Sequence, residues 1–145
     1  MFQKILIPTD GSRYAIRAAE VAADLARRYQ AEVTLLLAAD YESVRASPVP
    51  PKVKADLEQA LREANAAALS QTAAPFVDRG VRVTTKEIEG APAYVISREA
   101  EDGGYGLIVM GSRGLGLPDQ ERSFLGSVTE RVLRLVSCPV LTVKV

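Results

Sequence analysis

A doubly wound α/β fold, with a parallel sheet of five strands flanked by helices, is the class this sequence predicts. Three observations predict it. Short apolar runs alternate with stretches of helical periodicity along the whole chain. Two of the runs, Ile5-Leu6-Ile7 and Leu107-Ile108-Val109-Met110, are apolar at every position, as strands covered on both faces must be. Each is followed by a glycine-containing turn and then a helical pattern. The 145 residues match the usual size of one domain, so a single domain over residues 1–145 is expected. Neither turn occurs twice, which argues against an internal repeat.

The first strand, residues 4–8, ends at Pro8, which has no N–H to donate to a sheet ladder. Thr9-Asp10-Gly11-Ser12 then turns into a helix with Ser12 as its N-cap. Its inner stripe is Ala15, Ala18, Ala22, Leu25, Ala26 and Tyr29, and Asp24 and Arg28 form an outward pair. Residues 32–40 form the second strand, and the βαβ crossover so made is right-handed by rule. Pro48, Pro50 and Pro51 crowd the segment after it. Residues 41–51 therefore read as an exposed loop, neither helix nor central strand. A second helix carries Val53, Leu57, Ala60, Leu61, Ala64, Ala67 and Ala68 on one face, and Pro75 is expected to kink or end it before Gly80.

Residues 81–87 alternate in the manner of an edge or half-exposed strand. Gly90-Ala91-Pro92 restarts a helix with Val95, Ile96 and Ala100 inward. The glycines around Tyr105 lead into the strand 107–110. The last helix begins at Gly126-Ser127, where Ser127 and Glu130 have capping-box spacing, and points Val128, Val132, Leu135 and Val136 inward, with Glu130 toward Arg134. Residues 139–145 form a terminal strand with Leu141, Val143 and Val145 on one side.

Composition excludes several function classes. Lys plus Arg and Asp plus Glu both number 18, so no net field draws the chain to nucleic acid or to an anionic membrane. No apolar run approaches membrane-spanning length, and a strand starting almost at Met1 leaves no room for an export signal, so a cytoplasmic location is expected. There is no histidine, which removes Ser-His and Cys-His catalytic pairs and the usual zinc clusters. The one cysteine, Cys138, has no evident activating partner and reads as a small buried residue.

The stretch 105–128 carries most of the functional information. An apolar strand stops at Gly111, passes glycines at 114 and 116, and restarts as a helix at Gly126-Ser127. Glycines let backbone N–H groups approach an anion, a helix start presents unpaired N–H groups, and Arg113 adds a forked cation suited to phosphate. The same glycines also serve a plain tight turn. The stretch has neither the Gly-Lys-Ser/Thr of the Walker loop nor the Gly-x-Gly-x-x-Gly spacing of dinucleotide sites.

Gly111-Ser112-Arg113-Gly114 together with Gly126-Ser127 resembles the universal stress protein family, whose ATP-binding members carry Gly, two residues, Gly, nine residues, then Gly-Ser or Gly-Thr. Here residues 115–125 make that gap eleven, two more than the family pattern, with Pro118 and Asp119 inside it. Pro8-Thr9-Asp10 resembles the family's opening motif, and Gly90-Ala91-Pro92 followed by Ile96 is also similar. The resemblance covers nearly the whole chain and implies the strand order 3-2-1-4-5 of the adenine nucleotide alpha hydrolase-like fold. It further implies an ATP site, with Pro8, Thr9, Asp10 and Ala38 at the adenosine end and Met110 and Gly111 at the ribose. Arg113, Gly114, Gly126, Ser127 and Val128 would face the phosphates, with Mg²⁺ bridging phosphate oxygens. Loops similar to 41–51 overhang the nucleotide in the family, and members pair as homodimers through the terminal strand, here 139–145. An ATP-binding, homodimeric stress-response module is the function so implied. Two alternatives stay open: a dimeric interaction protein that holds no nucleotide, favoured by the two extra residues, and a slow ATPase.

Overall fold

The computed structural model describes residues 1–115 and 125–145. Gly116, Pro118 and Asp119 lie outside the described residues. In chain order the elements are β1 (Lys4–Pro8), α1 (Arg13–Tyr29), β2 (Glu32–Ala39), α2 (Glu42–Arg45) and α3 (Pro51–Asp78), then β3 (Val83–Glu89), α4 (Pro92–Asp102), β4 (Leu107–Gly111), α5 (Ser127–Leu135) and β5 (Val140–Val143). The five strands form one sheet in the order β3-β2-β1-β4-β5, and every pairing is parallel.

Alternation along the central strands sends successive side chains to opposite faces, and each face meets its own helices. Ile5, Ile7, Leu107 and Val109 pack with the alanines of α1 and with Phe76 of α3. Leu6, Ile108 and Met110 pack with Val95 and Ile96 of α4 and Val132 of α5. This double covering is why β1 and β4 are apolar at every position. Ser12 caps α1, its side chain accepting a hydrogen bond from the Ala15 N–H, and Asp24 pairs with Arg28 at 3.0 Å on the outer face. Alanines 15, 18, 19, 22, 23 and 26 of α1 are all buried, so the helix lies close on the sheet. Tyr29 departs from the expected inner stripe: it is half-exposed and packs edge-on against Phe2.

The long helix differs most from expectation. Val53, Leu57, Ala60, Ala64 and Ala67 are exposed, Leu61 and Ala68 of the same expected face are partly buried against the end of β2, and only Thr72, Pro75 and Phe76 are fully buried. Pro75 does not end the helix, which continues to Asp78. One ladder hydrogen bond is forgone, while burial of the neighbouring Phe76 stabilises the last turn by roughly 1.5–3 kcal/mol.

The stretch 41–51 holds a one-turn helix, α2, where none was expected. Asp40 starts it by accepting from the Ser43 N–H and hydroxyl, which holds the Asp40 carboxyl below the usual carboxylate range. Pro51 is already the first residue of α3. Arg45 of α2 bridges Glu58 at 3.0 Å and Glu89 at 2.6 Å, and the buried Tyr41 donates to Glu87 beneath the Arg62 guanidinium. These contacts explain why β3 runs two residues later than the alternation suggested, to Glu89, in register with β2 out to Ala39.

At the far edge, α5 begins after Gly126, which is its N-cap without a side-chain bond, so the capping box of Ser127 and Glu130 does not form. Glu130 instead pairs with Arg134 at 2.7 Å. Leu135 is exposed rather than inward, because α5 is at its last residue there. The terminal strand is limited to Val140–Val143. Val143 is buried in the chain's own core, whereas Leu141 and Val145 are exposed, so the three do not share one outward face. Cys138 is partly buried, and burial pushes its thiol above the ordinary value.

Helix α3 therefore contributes stability through its end rather than its length. Phe76→Ala should lower unfolding free energy by about 3–5 kcal/mol, whereas Leu57→Ala should cost less than about 1 kcal/mol. Urea denaturation of both variants measures the contrast.

Candidate functional site

β1 and β4 are hydrogen-bonded neighbours, with Ile5 opposite Leu107 and Leu6 opposite Ile108, yet their following helices lie on opposite faces of the sheet. A crevice opens where the chain parts in this way. It is a cleft of about 420 Å³ beyond the carboxyl ends of the strands, within the range of small-ligand sites. All eleven residues singled out from the sequence line it: Pro8, Thr9 and Asp10 from the first turn, Ala38 from β2, Met110, Gly111, Arg113 and Gly114 from β4 and its loop, and Gly126, Ser127 and Val128 from the start of α5.

The apolar part is made by Ala38, Ile96 and Met110, which belong to the core cluster under α4 and α5. The polar part is made by backbone drawn unusually close. A Cβ on Gly114 would stand 2.5 Å from Asp10 Oδ2, and one on Gly111 would stand 2.7 Å from the Tyr14 Cβ. Only glycine leaves room at these two positions without a shift. Gly126 closes the loop by donating its N–H to the Ser112 carbonyl at 2.8 Å. Helix α5 then starts with its first N–H groups unused by the helix and, among the described residues, with no side-chain cap. Such a start carries partial positive charge.

Asp10 joins the two halves of the site. Its Oδ1 accepts from the Ser12 N–H at 2.9 Å and its Oδ2 from the Leu115 N–H at 3.1 Å. Arg113 is buried to 5% exposure along the same wall. These two are the only titratable side chains among the described residues that line the cleft. The arrangement suits a ligand with an apolar plate and an anionic end.

Several residues of the site were not anticipated. Thr129 is 2% exposed, lines the cleft, and donates its hydroxyl to the Gly111 carbonyl at 2.9 Å, fastening α5 to the end of β4. Ala15, Leu36 and Leu115 also line it. None carries a pattern that separates it from ordinary core or loop. Pro92 and Ile96, noticed in the sequence as a family-like step, do lie on the wall. Residues 41–51 do not line the cleft, being held against α3 and β3 by Arg45 and Tyr41.

Fold and cleft together define a doubly wound α/β protein with a cleft of small-ligand size at its switch point. The chain belongs to the universal stress protein family, whose model matches residues 1–144. Among its relatives, universal stress protein MJ0531 of Methanocaldococcus jannaschii is 37% identical over 145 residues, covering 99% of this chain and 83% of that protein. The solved structure of MJ0577 from the same organism is 31% identical, with a TM-score of 0.85 over 100% of this chain and 97% of that one. A universal stress protein family protein from Arabidopsis thaliana, solved with AMP bound, shares the fold at a TM-score of 0.70 and 21% identity, covering 98% of this chain and 91% of that one.

Replacing Thr129 by the isosteric valine leaves the buried Gly111 carbonyl without this donor. Thermal or chemical denaturation should show a loss of about 1–3 kcal/mol, with Thr129→Ser retaining most of the stability.

Proposed function

We propose that this chain binds an adenine nucleotide, ATP with Mg²⁺ being the expected species, and acts as a homodimeric regulatory module of the stress-response type. The observation that carries the reading is convergence: two motifs about a hundred residues apart in sequence line one cleft of nucleotide size. Ala38, Ile96 and Met110 suit a purine, while Gly114, Gly126, Ser127 and Arg113 suit phosphate oxygens. Family membership and the AMP held by the Arabidopsis protein of the same fold lend support. Mg²⁺ would be carried on the phosphate oxygens, because Asp10 is the one carboxylate among the described lining residues. Binding rather than turnover is the proposed role, with the cleft's described titratable side chains, Asp10 and Arg113, serving to place an anion.

One observation favours a second reading, an interaction module without nucleotide. The Asp10 carboxylate stands against Gly114, placing negative charge beside the proposed phosphate loop. Calorimetry decides between the two. ATP with Mg²⁺ should bind the wild type, and Gly126→Val should weaken ATP ten-fold or more while affecting adenosine much less, since charge-assisted bonds to phosphate are worth about 1.5–3 kcal/mol each. No binding at millimolar ATP would overturn the nucleotide reading in favour of the second.

The homodimer is proposed through β5, an edge strand with unpaired backbone groups and the exposed Leu141 and Val145 beside it. Light scattering at micromolar concentration should give twice the chain mass of 15.6 kDa. Leu141→Glu should give a monomer with unchanged circular dichroism. Leu141 is the informative position, because Val143 is occupied in the chain's own core.

A further inference from the structure

Thr9 lines the cleft, but its hydroxyl is engaged elsewhere. It lies 2.8 Å from the hydroxyl of Thr72, a fully buried residue of α3 that does not itself line the cleft. The direction of this bond is set by the neighbours. The Thr72 hydroxyl is 2.7 Å from the Ala68 carbonyl, which can only accept, so the one Thr72 proton goes there. Thr9 must therefore donate to Thr72. The Thr9 oxygen in turn accepts from the Gly11 N–H at 3.1 Å. The result is a one-way chain from Gly11 N–H to Thr9, to Thr72, to the backbone of α3.

This chain fixes the residues on both sides of Asp10. Gly11 holds a positive φ of 79°, and a Cβ added to it would come within 2.8 Å of the Ala68 Cβ, so the turn lies flush on the same helical turn of α3 that Thr72 binds. Asp10 projects from between these two anchored residues to accept from Ser12 and, across the cleft, from Leu115. A rotation of the 9–11 backbone would break the Leu115 contact first, because that bond spans two separate loops.

We propose that Thr72 is a positioning residue of the nucleotide cleft, acting through Thr9 to orient the turn that carries Asp10. The inference rests on the nucleotide reading for its consequence to affinity, though not for its consequence to the turn. It makes α3, a helix outside the cleft, a support of the site. Substituting valine at 72 keeps the shape but removes both donor and acceptor, leaving a buried Thr9 hydroxyl that can find a partner only by rotating. Serine at 72 preserves the chain.

Two measurements on the full chain test this. The first uses no ligand: hydrogen exchange at the amides of Gly11 and Leu115 should quicken at least five-fold in Thr72→Val and return to within two-fold of wild type in Thr72→Ser. The second is calorimetry with ATP and Mg²⁺ well below the melting temperature of every variant. Thr72→Val should bind five-fold or more weakly, and Thr72→Ser within two-fold of wild type. A purely structural Thr72 would move the melting temperature and leave exchange at Leu115 and ATP affinity unchanged; that result would overturn the proposal. If the wild type binds no adenine nucleotide, the nucleotide reading fails by itself, and the positioning role is still decided by amide exchange. Unaltered exchange at both amides in Thr72→Val would end it.

Discussion

The pairing of β1 with β4 is the constraint on which the rest depends. These strands are not consecutive, and their neighbours in sequence depart to opposite faces of the sheet. Their carboxyl ends therefore stand side by side with a crevice between the departing chains. Each strand must be apolar on both faces to sit there, and each must be followed at once by a turn tight enough to clear the other. The cleft is a consequence of this topology before any ligand-specific residue is considered.

Glycine is required in that crowded place because backbone has to approach backbone and side chain. At Gly111 the obstacle is Tyr14 of α1, and at Gly114 it is the Asp10 carboxylate. Both obstacles come from the β1 end of the chain. The glycines of the second motif are thus partly determined by the first, which is why the two are informative together. Thr129 and Gly126 complete the enclosure by tying α5 back to β4 through the Gly111 and Ser112 carbonyls.

Much of this was legible in the residues. Runs such as Ile5-Leu6-Ile7 declare a strand covered twice, and the Ser12 cap and the alanine stripe of α1 obey local rules that tertiary packing did not disturb. All eleven residues drawn from the motifs and the family resemblance line the cleft. What was not legible depended on reach across the fold. The apolar spacing of Val53 and Leu57 is real, but both are exposed, and on that half of α3 it is Leu61 that packs on the end of β2. Pro75 is tolerated because Phe76 anchors the turn around it. The Ser127 and Glu130 spacing satisfied a capping rule, while Gly126 was pulled into the cap position by its bond to Ser112. Thr72 and Thr129 look like ordinary helix residues, since a hydroxyl in sequence does not reveal which distant oxygen it will meet.

The charge arrangement of the cleft bears on what a ligand does there. Asp10 and Arg113 are opposite in sign and lie on the same wall, and Asp10 is already committed to two backbone N–H groups. The value of Asp10 is geometric: it fastens the β1 turn to the loop after β4 across the mouth of the cleft. An anionic ligand entering between them meets repulsion from Asp10 and attraction from Arg113 and the start of α5, so its net effect is a pull toward the α5 side. The Asp10 contact ends at Leu115, so the turn after β1 and the start of the loop after β4 are held to each other.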